Sequence, residues 1–165
     1  MGNRAVVTFA NRCEVEKYLV PVEKGGNGEK LEGFVADNPH RACVYLHWNG
    51  GRDSITAFLN ACKELGYRGG ASDSYGVARF TQTVCNFFGS GGLSCGVDTL
   101  EQSDTDNGDN GVYVVDDNWE IIGREFACNE QNEHDVNDFA KFLVKLTKAV
   151  DESAERIRAK EEVAR

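Results

Sequence analysis

The chain is short of proline, histidine and basic residues. Two Pro and three His occur among 165 residues, against eighteen Gly. That ratio suggests many tight turns and few rigid linkers. A hydrolase needs an activated nucleophile or a metal-bound water, and the three His offer little material for either. His47 falls in an expected strand, and His40 and His134 in expected loops. Cys43 and His47 share one strand face but lie roughly 13 Å apart by strand rise, too far for a dyad. No apolar run approaches the ~20 residues of a membrane span. The opening MGNRAVVTFANR has too short an apolar stretch for a signal peptide, and Val6 stands where myristoylation wants Ser or Thr. Six Cys, at 13, 43, 62, 85, 95 and 128, form no C-x-x-C pair. Their spacing suits neither a zinc site nor a compact disulfide framework, which leads us to expect free thiols and a cytoplasmic location. Bases number 18 against 27 acids, for a formal charge of −9. That balance disfavours binding to duplex nucleic acid. It leaves room for a pocket where a few Arg meet a small anion.

What remains is the composition of one globular domain, 41% hydrophobic and 27% charged. A single domain over 1–165 is expected, able to bury ~70% of its unfolded surface. Strands are expected at 4–9, 13–20, 41–48, 93–98, 112–115 and 119–126, with Asp116-Asp117-Asn118 as a hairpin turn. Helices are expected from Asp53 or Ser54 to Gly66, from Ser72-Asp73-Ser74 to the GSGG at 89–92, and from about 133 onward. Beyond strand 13–20, the segment 10–40 reads as loop or insertion. Residues 99–111 read as a loop that cannot bury itself. The last helix carries Val136, Phe139, Ala140, Leu143, Leu146 and Val150, and then becomes a charged tail over 150–165. The order does not alternate strictly, so the expected fold is α+β: a mostly antiparallel sheet, helices packed on one side and a long C-terminal helix.

Phosphate motifs fail on inspection. GGNGEK at 25–30 lacks the G-K-[ST] of a P-loop, and GSGG follows a helix where a dinucleotide turn would precede one. Asp104, Asp106 and Asp109 do not complete an EF-hand, because Asp109 and Val115 occupy its sixth and twelfth positions. No metal ligand set and no cofactor is therefore expected.

The arginines say more. Between Asp98 and Asp135 there are twelve acids and one base, Arg124. It is either a structural ion pair or an anion ligand. Arg52 follows two Gly just before a helix N-terminus, where amide groups and the helix dipole favour anions; it can equally pair with Asp53 or face solvent. Arg79 falls on or near the apolar side of the second helix and needs a carboxylate, a ligand phosphate or water. Phe87 and Phe88 cannot share one helix face, so one of them can border a cleft; core packing is the default reading and stacking on a base the alternative. Asn107 and Asn110 can present an amide edge to adenine, and Asp109 can accept from ribose hydroxyls. All three also suit simple turn formation.

Four stretches, MGNRAVVTF, VYLHWNGGRDSITAFL, GVDTLEQSDTDNGDNGVYVV and NWEIIGRE, resemble the phage-encoded anti-Thoeris sponge family, the first type of Thoeris anti-defence protein. The resemblance covers most of 1–9 and 41–146 and leaves 10–40 and the tail as local additions. It implies a protein of the infected bacterial cytoplasm that binds cyclic ADP-ribose isomers without chemistry. In some members it extends to cyclic trinucleotides at separate sites of a dimer-based hexamer. By position it implies Arg52, Arg79 and Arg124 on the pyrophosphate, Asn107 or Asn110 with Asp109 near the adenine, and Phe88 as the stacking ring. Leu100 stands where an aromatic would be welcome. Asn3 and Arg4 are candidates for the second ligand, at a subunit junction. Two other classes stay open: a metal-dependent cyclic-nucleotide hydrolase using Asp104, Asp106 and a His, and an inhibitor that presents the acidic 98–135 surface to a host enzyme.

Overall fold

A computed structural model describes residues 2–89 and 94–165. Five strands form one sheet: β1 (Ala5–Phe9), β2 (Ala42–Leu46), β3 (Cys95–Thr99), β4 (Val112–Val115) and β5 (Ile121–Glu125). Their order across the sheet is β3-β2-β1-β4-β5. Only β1 and β4 pair in parallel, with Val6 opposite Val112; the other neighbours are antiparallel. The α+β class and the mostly antiparallel sheet agree with the sequence.

Successive side chains of a strand point to opposite faces, and both faces of β1 are covered. Ala5, Val7 and Phe9 enter a core with Val44, Leu46, Tyr113 and Val115, closed by α3 (Arg52–Glu64), α4 (Ser74–Phe88) and α5 (Val136–Val163). Val6 and Ala10 enter a second core with Val15, Leu31, Phe34 and Val112. This is why AVVTF is apolar at all positions but Thr8 rather than alternating, and the Thr8 hydroxyl is satisfied by the Ala42 carbonyl.

The second core corrects the reading of 13–20 as a strand. That segment folds as α1 (Arg12–Val15) and a 3-10 turn (Glu16–Tyr18), started by a capping box between Asn11 and Glu14. The rest of 10–40 contributes another 3-10 turn, the one-turn helix α2 (Phe34–Asp37) and an antiparallel bridge between Leu19 and Leu31. Local apolar alternation yielded here because the cap and the burial of Val15 both favour a helical turn. The three long helices share one face of the sheet, while this segment covers the other.

Helix boundaries differ from expectation by a residue or two, as caps decide them. α3 starts at Arg52 with Gly51 as its N-cap, so Asp53 sits inside the first turn. A side chain on Gly51 would collide with the Gln131 carbonyl. Asp73 caps α4 by accepting from the Tyr75 amide, and Asp135 caps α5. The hairpin turn is held by the Asp116 carboxylate, which accepts from the amides of Asn118 and Glu120. Residues 90–93, which take in most of the expected GSGG loop and the first position of the strand expected at 93–98, lie outside the described residues; that strand is observed as β3, Cys95–Thr99. Thr99 closes β3 and 100–111 is a loop as expected, yet not a wholly exposed one, since Leu100, Asn107 and Asn110 are buried. No helix among the described residues is long and apolar enough to cross a membrane.

Candidate functional site

A cleft of about 480 Å³ opens at the β5 side of the sheet, between segment 27–32, segment 124–130 and Arg52. Segment 29–31 lies alongside β5 as a short parallel bridge: the Arg124 amide donates to the Glu29 carbonyl, and the Leu31 amide to the Arg124 carbonyl, each at 2.8 Å. Gly123 permits this approach, because a Cβ there would meet Leu31 Cδ1 at 2.4 Å. The region outside the expected core elements thus brings Glu29 to the site.

The opposite wall, segment 126–135, has no regular structure and is pinned by side chains. Asp53 accepts from the amides of Ser54, Glu133 and His134. Asn132 accepts from the Asp53 amide, and Asn3 donates to the Gln131 carbonyl and to Glu133. The Cys128 and Asn129 amides both donate to the Asp109 carbonyl at 2.9 Å. Glu130 is held between these anchors.

Arg52 and Arg124, 72 positions apart in sequence, meet on Glu130. Arg52 Nε and Arg124 Nη1 each donate to Glu130 Oε1 at 3.1 Å. Arg52 also grips Glu29 with both Nη atoms, at 3.2 and 2.5 Å. Burial works against the charge of Arg52, but the hydrogen bonds and charges of Glu29 and then of Glu130 outweigh it, so the guanidinium lies above its ordinary value. Arg124 is held from behind. Its Nη2 donates to the Asn110 carbonyl at 2.6 Å, and its guanidinium carbon lies 3.7 Å from the centre of the Tyr113 ring. Its Nε is buried without a hydrogen-bond partner. Arg124 is 6% exposed, whereas the side chains of Glu29 and Glu130 are 32% and 39% exposed. Arg124 is therefore the fixed element of the cluster, while Arg52, 36% exposed, Glu29 and Glu130 stand at the solvent edge.

The amides of the α3 N-terminus do not face this cleft free, as Asn132 takes that of Asp53 and Asp53 takes that of Ser54. Arg52 offers its side chain alone. The third expected cation, Arg79, is exposed rather than on the apolar side of its helix. It donates to Gln82 and lies 5.9 Å from the Tyr67 ring, beside a separate depression with Arg68 and Tyr75. Phe88 sits half-buried at the end of α4 with its ring 5.2 Å from that of Phe87, and it does not line the cleft.

The amide candidates are engaged in folding the loop. Asn107 donates to the carbonyls of Asp104 and Gly111 and accepts from the amides of Asp109 and Gly111. Asn110 donates to Asn3 and to the Arg4 carbonyl, leaving its own Oδ1 buried and unpartnered. Asp109 pairs with Arg4 at 2.7 Å, and Arg4 also faces Asp104 at 3.8 Å. That hydrogen bond holds the Asp109 carboxyl below the usual carboxylate range and Arg4 above its own. Asn3, Arg4, Asp109 and Asn110 thus form one network beside the cleft and support its back wall. Among the described residues, no three His, Cys, Asp or Glu side chains gather to hold a metal ion.

Sequence reasoning missed Glu29, Glu130 and Tyr113. Glu29 was visible only as the residue that breaks a P-loop motif, and Tyr113 only as one apolar position of a strand. The twelve acids around Arg124 did signal a carboxylate partner without saying which. No family model matches the chain, and comparison with curated proteins and with solved structures also finds no match.

Proposed function

We propose that the protein binds a compact cyclic nucleotide, of the cyclic ADP-ribose type, at the Arg52–Arg124 cleft and holds it without transforming it. The observation that carries this reading is the convergence of two guanidinium groups on a single half-exposed carboxylate. Displacing Glu130 frees Arg52 Nε and Arg124 Nη1, one charge-assisted donor from each guanidinium, and such donors suit phosphate oxygens. Such an anion takes the place of Glu130, which swings into water at little cost because its side chain is already 39% exposed. Arg124 keeps its place throughout, held by Asn110 and Tyr113. The bulk charge of −9 selects against longer polyanions; within the cleft Lys30, Arg52 and Arg124 face Glu29, Glu32, Glu125 and Glu130, so a bound anion has to displace carboxylate.

Sequestration in the cytoplasm of an infected bacterium follows from the resemblance to the anti-Thoeris sponges, as do a second site for cyclic trinucleotides near Asn3 and Arg4 and assembly into a dimer-based hexamer. The exposed Val150 and Ile157 of α5 give that assembly an apolar stripe to bury.

The test mixes the protein with cyclic ADP-ribose isomers, removes free ligand and then heats the sample. Intact ligand released only on denaturation is expected. Ligand that is degraded, or that never associates, overturns the reading. A complex formed instead with a basic protein, and lost in salt, favours the acidic-surface alternative.

A further inference from the structure

Cys85 stands near the C-terminal end of α4, and Cys95 opens β3. Their Sγ atoms are 3.3 Å apart, although neither neighbours the other in sequence. Cys85 is exposed and Cys95 half-buried. A disulfide brings its sulfurs to about 2.05 Å, so rotation of the two side chains by little more than an ångström closes the gap. The pair is not half of a zinc site, since no third ligand is gathered with it among the described residues. Cys43 and Cys62 lie buried in different cores, Cys62 faces Thr83, and the Cys128 thiol donates to the Phe126 carbonyl.

We propose that Cys85 and Cys95 are a dithiol modification site, which a small disulfide such as oxidised glutathione converts into an intramolecular disulfide fastening α4 to the edge strand β3. The order of events follows from exposure. The Cys85 thiolate attacks one sulfur of oxidised glutathione and expels one glutathione thiolate, leaving a mixed disulfide. The Cys95 thiolate then attacks the Cys85 sulfur and expels the second glutathione thiolate. Two protein thiols are oxidised, one small disulfide is reduced to two thiols, and the two protons leave with them. Burial, and then the neighbouring Cys85 thiol, push Cys95 up to about 12, which leaves the first attack to Cys85; the part of that rise due to the Cys85 thiol is lifted once Cys85 is in the mixed disulfide. β3 has only β2 beside it in the sheet, with Val97 59% exposed. A covalent tie to α4 restrains the strand that lacks a second neighbour.

The full chain is incubated with oxidised glutathione or with dithiothreitol, alkylated with iodoacetamide and digested with trypsin. No Lys or Arg occurs between Arg79 and Arg124, so both thiols fall in one peptide, 80–124. After oxidation this peptide is expected to lose about 2 Da and take up no alkyl group. After dithiothreitol it takes up two. The oxidised protein should melt about 5 °C higher, a shift absent from Cys85→Ser and Cys95→Ser but kept by Cys13→Ser and Cys128→Ser. Three results overturn the proposal: two alkyl groups on the peptide after oxidation, a persistent glutathione adduct on Cys85, or a disulfide that links two chains. An internal disulfide without a rise in melting temperature overturns the fastening of β3.

Discussion

Arg124 lies over the ring of Tyr113, with its guanidinium carbon 3.7 Å from the ring centre. The stack fixes a cation inside the sheet, where it is 6% exposed. Removing it leaves the Asn110 carbonyl and part of Glu130 unpaired. Arg124→Ala is expected to destabilise the fold by about 2–4 kcal/mol, the range for breaking a buried charged network. Arg52→Ala removes a half-exposed group and should cost less than about 1 kcal/mol of stability, while weakening ligand binding by about 1.5–3 kcal/mol. Urea melts and calorimetry on both variants separate these effects. Unchanged affinity in Arg52→Ala removes that residue from the site.

Glu130 accepts from both arginines. If a ligand phosphate displaces it, Glu130→Gln lowers the competition and should tighten binding by roughly tenfold, or about 1.4 kcal/mol. If the carboxylate is instead a fixed part of the wall, the same change weakens binding. A single titration of wild type and variant decides the sign.

Glu125 is buried, and its two oxygens accept from the amides of Gly33 and Val35 at 2.8 Å, fixing the start of α2. Glu125→Ala leaves those amides without their acceptor. A loss of about 2–3 kcal/mol is expected, together with faster proteolysis between residues 25 and 40. Wild-type proteolysis rates in the variant would show that 10–40 is held by its apolar contacts alone.

Two carboxyls lie below their ordinary range. In Asp109 the hydrogen bond from Arg4 is the main cause; in Glu14 it is the Asn11 amide, with Arg41 adding to it. Their unfolded values are near ~4. A folded value below that contributes stability that is present above about pH 4 and lost as the pH falls through the folded values. Chemical denaturation at pH 7 and pH 3 should show the loss, and Asp109→Asn should flatten it. An equally steep loss in that variant would place the acid sensitivity elsewhere.

The sheet strands and the three long helices were legible because their apolar periodicity is strong and their caps carry Asp or Gly. The segment 13–20 was not, because alternation over eight residues competes poorly with a capping box. Within the site, Arg124 was legible as a lone cation in an acidic stretch, and Arg52 as a cation standing just before a helix N-terminus. Glu29 and Glu130 were not, since their meeting depends on Gly123 letting segment 29–31 approach β5 and on Asp53 pinning segment 126–135. Asn107 and Asn110 carry the right chemistry for a base edge, yet the loop spends it on its own backbone.

The parallel pairing of β1 with β4 has a consequence for synthesis on the ribosome. β1 emerges early and finds β2 soon after, but its other edge has no partner until the far-removed Val112–Val115 leaves the exit tunnel. For most of translation a strand that is wholly buried in the finished fold therefore presents one open flank, and the Arg52–Arg124 cleft cannot assemble until that flank is filled.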